Sequence, residues 1–134
     1  MAFFFKFNPM EKIVVIIEED PGIRELWYVI LTYLKLEIVF LENTSTHFDE
    51  IVRTQPALII KDVHFLNDCS FQEIKKYKYH PNTSHIPLII YSTQPSFKTW
   101  AKESLADAIV EKPFDLIDME NTILDLIQIS SRQE

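Results

Sequence analysis

The segment Pro56-Ala57-Leu58-Ile59-Ile60-Lys61-Asp62 decides how the rest of the chain is read. It is a short apolar run that ends on a carboxylate. Such runs are the buried strands of parallel sheets, and ligands gather at the carboxyl ends of those strands. An Asp in this place is, taken alone, an ordinary turn residue or helix cap. Here polar groups also stop three other apolar runs. Glu18, Glu19 and Asp20 follow Ile13-Val14-Val15-Ile16-Ile17, Ser92 and Thr93 follow Leu88-Ile89-Ile90-Tyr91, and Lys112-Pro113 follows Ala108-Ile109-Val110. The pattern predicts that these groups converge around Asp62.

Between the apolar runs the period changes to that of helices. Asp20-Pro21 reads as an N-cap with proline at the first helical position. Ile23, Leu26, Trp27, Ile30, Leu31 and Leu34 then recur at helical spacing, which predicts an amphipathic helix to about Lys35 with Trp27 in the core. Glu37 to Leu41 reads as a second strand. Thr46-His47-Phe48-Asp49 and Ser70-Phe71-Gln72-Glu73 resemble capping boxes that open the second and third helices. Ser96 is expected to cap a fourth helix, with Phe97, Trp100 and Ala101, and Asp115 a fifth with a wide apolar face. Five strands alternating with five helices predict an α/β, doubly wound, five-stranded parallel sheet with right-handed crossovers. The expected order is 2-1-3-4-5, which sets the first and third strands side by side at the switch point.

The composition narrows the classes of function. The chain has 134 residues, 47% hydrophobic and 25% charged, the balance of one ordinary globular domain. We place that domain at 11–134, behind a short apolar leader over 1–10, and expect no second domain after Glu134. The net charge of −7 and the lack of any Lys/Arg run argue against direct nucleic-acid binding. No stretch reaches the length of a membrane span, so no membrane partner is expected. The single cysteine, Cys69, suits a reducing cytoplasm and is expected to be a buried or half-buried thiol. His47, His64, His80 and His85 show no metal-ligand spacing and are expected at the surface.

At the tips of neighbouring strands, Glu18, Glu19 and Asp62 would repel one another, which favours protonation or a cation. Oxygen-only ligands favour Mg²⁺. Lys112 and Ser92 opposite would complete a clamp for a small anion. An Asp between a cation and a lysine can attack phosphorus and carry an acyl phosphate.

With these residues in place, the chain resembles the receiver domain of two-component response regulators, of the stand-alone, chemotaxis-receiver type. The resemblance rests on four stretches in the family's order: Ile16-Ile17-Glu18-Glu19-Asp20-Pro21-Gly22-Ile23-Arg24-Glu25-Leu26, Pro56 to Asp62, His85 to Thr93, and Glu111-Lys112-Pro113-Phe114-Asp115. It implies a flavodoxin-like receiver fold. It implies that Asp62 is the phosphoacceptor, charged by a sensor histidine kinase or phosphotransfer protein. Glu18 and Glu19 would position Mg²⁺ together with Asp62 and the backbone carbonyl of His64. Ser92 would be the switch hydroxyl, and Lys112 would hold a phosphoryl oxygen and precede a cis bond to Pro113. A downstream protein would read the switched surface, with Phe97, Trp100, Ile117 and Leu124 as candidates for it. A homodimer through the fourth helix, fifth strand and fifth helix is a further partner reading. Activity would be limited to self-phosphotransfer and autodephosphorylation.

Several positions depart from the family pattern: Glu19 where Asp is usual, Thr93 where a small residue is usual, and Ile109 where an aromatic is usual. They motivate an alternative, a degenerate receiver that binds a partner without phosphorylation. Two other classes fit less well. An aspartyl-nucleophile phosphatase needs a second Asp where His64 stands, and a flavin protein needs a phosphate cradle where Glu18-Glu19-Asp20 would repel one.

Overall fold

The structure, a computed structural model, describes residues 12–132. The leader at 1–10 lies outside the described residues. The elements alternate throughout: β1 (Ile13–Ile17), α1 (Pro21–Tyr33), β2 (Glu37–Leu41), α2 (His47–Thr54), β3 (Leu58–Asp62), α3 (Asp68–Tyr79), β4 (Leu88–Ser92), α4 (Phe97–Ala101), β5 (Ala108–Glu111) and α5 (Leu116–Arg132). All strand pairs are parallel, and the sheet order is β2-β1-β3-β4-β5, as the apolar runs predict. Among the described residues no helix is long and apolar enough to cross a membrane.

Alternation along the buried strands sends side chains to two cores. Val14, Ile16, Leu58, Ile60, Ile89 and Tyr91 face α1 and α5, where Trp27, Ile30, Leu31, Met119, Ile123 and Ile127 meet them. Val15, Ile17, Ile59, Val63, Leu88 and Ile90 face α2, α3 and α4, against Ile51, Ile74, Tyr77, Phe97 and Ala101. Trp27 is fully buried, as the α1 stripe requires, with Tyr91 and Phe114 edge-on, each at 5.5 Å between ring centroids. Burial of each such large apolar side chain contributes roughly 1.5–3 kcal/mol.

The helix starts differ from the capping-box reading. Thr46 precedes α2 in a helical conformation and makes no side-chain cap bond, although its hydroxyl lies 3.3 Å from that of Thr44. α3 begins at Asp68, and Asn67 is its cap: Asn67 Oδ1 accepts from the Ser70 amide at 2.9 Å. Ser70 therefore sits inside the first turn, not before it. An Asn at the N-cap serves as well as a Ser, and its position decides. α4 has only five residues, and Ser96 before it takes φ 66° with no side-chain cap bond. Asp115 does cap α5, accepting from the Asp118 amide at 2.9 Å. With a single glycine in the chain, Lys35 (φ 62°) and Gln55 (φ 48°) supply the left-handed residues that end α1 and α2.

Two further expectations are corrected. Cys69 is exposed, because it falls on the outer side of the first turn of α3. His47 is buried, not at the surface. Its Nδ1 donates to the Thr44 carbonyl at 2.6 Å, and its Nε2 lies 2.5 Å from the Tyr77 hydroxyl and 3.3 Å from Glu73 Oε2.

That histidine belongs to a charged chain under the sheet. Lys61 is nearly inaccessible after the apolar Leu58-Ile59-Ile60 of β3, and its Nζ lies 3.1 Å from Glu73 Oε1. Burial works against the charge of Glu73, but His47 and Lys61 outweigh it and hold the carboxyl below its ordinary range. Breaking a buried ion pair from one side strands a charge, whereas replacing the buried charge by an apolar group does not. Glu73→Ala is therefore expected to cost about 3 kcal/mol in urea unfolding, and Lys61→Met less than about 1 kcal/mol. Equal losses in the two variants would show that the pair itself is the source of stability.

Candidate functional site

The polar groups at the strand ends meet on one rim of the sheet. Pairing of β1 with β3 sets Ile17 beside Lys61, so Glu18 leaves β1 next to Asp62. Pairing of β3 with β4 sets Asp62 beside Tyr91, with Ser92 one residue further on. Glu111 ends β5 beside Ser92, and Lys112 follows it. A cleft of about 210 Å³ opens at this rim, lined among others by Glu18, Glu19, Asn43, Lys61, Asp62 and His64.

Asp62 is 7% exposed, and its two oxygens differ. Oδ1 accepts from Lys112 Nζ at 3.1 Å. Oδ2 lies 2.8 Å from His64 Nε2, yet it is buried and no hydrogen bond is directed at it. The approach is close enough for an ion pair but is not aligned as a hydrogen bond. Burial, then the nearby Glu18, push the Asp62 carboxyl above its ordinary value of 3.8, while Lys112 and His64 pull it back.

Glu18 is 2% exposed and is held on both oxygens. Oε1 accepts from the Tyr91 hydroxyl in a short hydrogen bond, and Oε2 accepts from the Asp20 amide at 3.0 Å. Tyr91 in turn accepts from Trp27 Nε1 at 3.0 Å. Burial and the Glu18 carboxylate both raise the Tyr91 pKa, so the hydroxyl keeps its proton and remains a donor. Lys112 Nζ stands 3.9 Å from Glu18 Oε1 and 4.4 Å from the centre of the Tyr91 ring, an added cation–π contact.

The remaining expected residues are placed less centrally. Glu19 is exposed at the edge of the cleft, and its Oε2 accepts from the Asn43 amide at 3.1 Å. Ser92 is buried, and its hydroxyl accepts from the Gln94 amide at 3.0 Å; it is not among the cleft-lining residues. The Lys112-Pro113 bond is cis. Of the suggested partner surface, Phe97 is core and Trp100 half-buried, while Ile117 and Leu124 are exposed.

Among the described residues, the atoms able to hold a cation are contributed by Glu18, Asp62 and His64, all within 4.8 Å of one another. Two buried carboxylates and an Asp62 oxygen without a donor fit a hard divalent cation such as Mg²⁺. The His64 side chain is exposed, as expected, but sequence reasoning gave its imidazole no place among the cation-holding atoms and saw nothing in Tyr91. The signal available was period alone: His64 lies two residues past Asp62, and Tyr91 stands opposite it only once strand register is known.

No family model matches the sequence. A histidine kinase of Formosa agariphila is 27% identical over 120 residues, which are 88% of this chain and 9% of that protein. The chain thus spans less than a tenth of the curated relative it matches. Among solved structures, the receiver domain of a signal transduction histidine kinase from Syntrophus aciditrophicus superposes with a TM-score of 0.79 at 22% identity, covering 92% of this chain and 95% of that one. A CheY-like receiver domain from Methanospirillum hungatei gives 0.74 at 19%, covering 92% and 99%. The receiver domain of a sensor histidine kinase from Pseudomonas aeruginosa, with a magnesium ion coordinated in its active-site cleft, gives 0.72 at 13%, covering 88% and 98%. Strand order, helix placement and these superpositions agree: the chain has the flavodoxin-like α/β fold of response regulator receiver domains.

Proposed function

We propose that this domain accepts a phosphoryl group on Asp62 in two-component signalling. The observation that carries the reading is the division of labour on that cleft-lining carboxylate: one oxygen accepts from Lys112, and the other is buried beside His64 with no hydrogen bond directed at it. In the proposed reaction an Asp62 oxygen attacks phosphorus. The bond from phosphorus to the donor's leaving atom breaks, and that atom keeps the electron pair and gains a proton. The product is an acyl phosphate.

The ammonium of Lys112 is close enough to follow the charge from Asp62 onto a phosphoryl oxygen. Glu18 and Asp62 would hold Mg²⁺ with the His64 backbone carbonyl, and Glu19 would join by releasing the Asn43 amide or through water. When bound, the ion neutralises charge building up on the phosphoryl oxygens. Ser92 would serve as the switch hydroxyl by leaving the Gln94 amide. The donor would be a sensor histidine kinase or phosphotransfer protein, and the readout a protein partner of the switched surface.

Intact mass after incubation with Mg²⁺ and acetyl phosphate tests the reading. One phosphate per chain is expected, with none after chelation and none in Asp62→Asn. Lys112→Ala is expected to slow uptake by about 10²-fold, the usual loss for one transition-state donor. An adduct that persists in Asp62→Asn would overturn the assignment.

The raised Asp62 pKa gives a second test. In the folded protein the carboxyl holds its proton to higher pH than in the unfolded chain, so stability falls as pH rises above 3.8 and stays low beyond the folded pKa. Removing the charge with Asp62→Asn is expected to raise the Tm at pH 7.5 by about 3–5 °C. The difference should shrink as the pH is lowered through that window. A lower Tm in Asp62→Asn would mean that the Lys112 pair outweighs the cost of burial.

A further inference from the structure

The side chain of His64 has no part in the phosphoacceptor chemistry above, which uses only its backbone carbonyl. Its position nevertheless matches that of a ligand. Nε2 lies 2.8 Å from Asp62 Oδ2, and it lies within the same 4.8 Å group as the Glu18 carboxylate. Adjacent ligand atoms around an octahedral ion with bonds of about 2.1 Å are about 3.0 Å apart, and opposite ones about 4.2 Å. The 2.8 Å between His64 Nε2 and Asp62 Oδ2 suits adjacent ligand atoms, and the Glu18 carboxylate is within 4.8 Å of both. The contact is not a directed hydrogen bond, and Oδ2 is left buried with no donor. An oxygen and a ring nitrogen at this spacing, with no directed hydrogen bond between them, have room to share a third atom.

The rest of the shell supports that arrangement. The Tyr91 hydroxyl and the Asp20 amide orient the two Glu18 oxygens, and a carboxylate keeps further lone pairs when each oxygen accepts one hydrogen bond. Glu19, the other acid at the cleft, is turned onto the Asn43 amide and lies outside the group. The donor set is thus two carboxylates and one imidazole. Mg²⁺ prefers oxygen alone, while imidazole suits the later first-row divalent ions.

We infer that the His64 imidazole is a metal ligand of this cleft, and that it shifts the site's preference from Mg²⁺ toward a first-row transition-metal dication. The inference rests on the cation site of the proposed function and adds a residue that sets which cation is chosen.

Isothermal titration of the full chain with Mg²⁺ and separately with Co²⁺, at pH 7.5, tests it. Co²⁺ is expected to bind more tightly than Mg²⁺. His64→Ala should weaken Co²⁺ by at least about 10-fold and leave Mg²⁺ within about twofold. Asp62→Asn should weaken both ions. The visible spectrum of the Co²⁺ form should change on His64→Ala, a readout that a merely structural role for His64 would not move. If Co²⁺ affinity and spectrum are unaltered by His64→Ala, the imidazole is only an ion-pair partner of Asp62 and the inference fails, while Mg²⁺ binding leaves the phosphoacceptor reading standing. If neither ion binds the wild-type chain, both fall. If Co²⁺ binds through His64 but Mg²⁺ does not bind at all, the inference holds and the Mg²⁺-dependent reading fails.

Discussion

The hydrogen bond from the Tyr91 hydroxyl to Glu18 joins the core to the cleft. It crosses from β4 to the end of β1, over the strand that carries Asp62. A carboxylate as buried as Glu18 needs donors, and here they come from the Asp20 amide on one side and from Tyr91 on the other. Tyr91 is fixed by Trp27, which is fixed by the packing of α1 against the sheet. The acid at the cleft is therefore positioned by hydrophobic packing one layer below. Loosening that packing would move a charged group.

Two charged systems occupy opposite faces of the same strand end. On the face toward α1 and α5, Asp62, Glu18 and Lys112 form a cluster with more acid than base. On the other, Lys61 is matched by Glu73, with His47 and Tyr77 behind it. Both systems pair their lysine, but the first leaves a buried oxygen of Asp62 beside His64 with no hydrogen bond directed at it. A polar cluster completed within the protein rigidifies, whereas one left incomplete holds a site for something added. The contrast sets Asp62 apart from its neighbour Lys61, although both line the cleft.

The receiver fold is reached here with one glycine. Lys35, Gln55 and Ser96 adopt left-handed conformations that glycine would take at lower cost. At Gln55 the side chain offsets part of that cost, because its Nε2 donates to the carbonyls of Val52 and Asn82. The same side chain receives His85 at 3.0 Å, which ties the end of α2 to the loop before β4.

The apolar runs and the polar residues that stop them were enough to read the strands, their order and the rim where Glu18, Asp62, Ser92 and Lys112 end up. That information is local: period two against 3.6, and where each run stops. Caps were read less well, because Ser, Thr, Asn and Asp are nearly equivalent by type, and only the backbone path shows that the Asn67 side chain caps α3 while that of Thr46 makes no cap bond at α2. The same limit hid His47 and Tyr91. Each is an unremarkable residue in its own segment, and each matters through a partner at least thirty positions away: Tyr77 for His47, Glu18 for Tyr91. Sequence alone therefore determined which residues reach the carboxyl edge of the sheet. Only the tertiary structure decided which of them share a proton or a charge, because hydrogen bonds and ion pairs act over about 3 Å and strand register decides who comes that close.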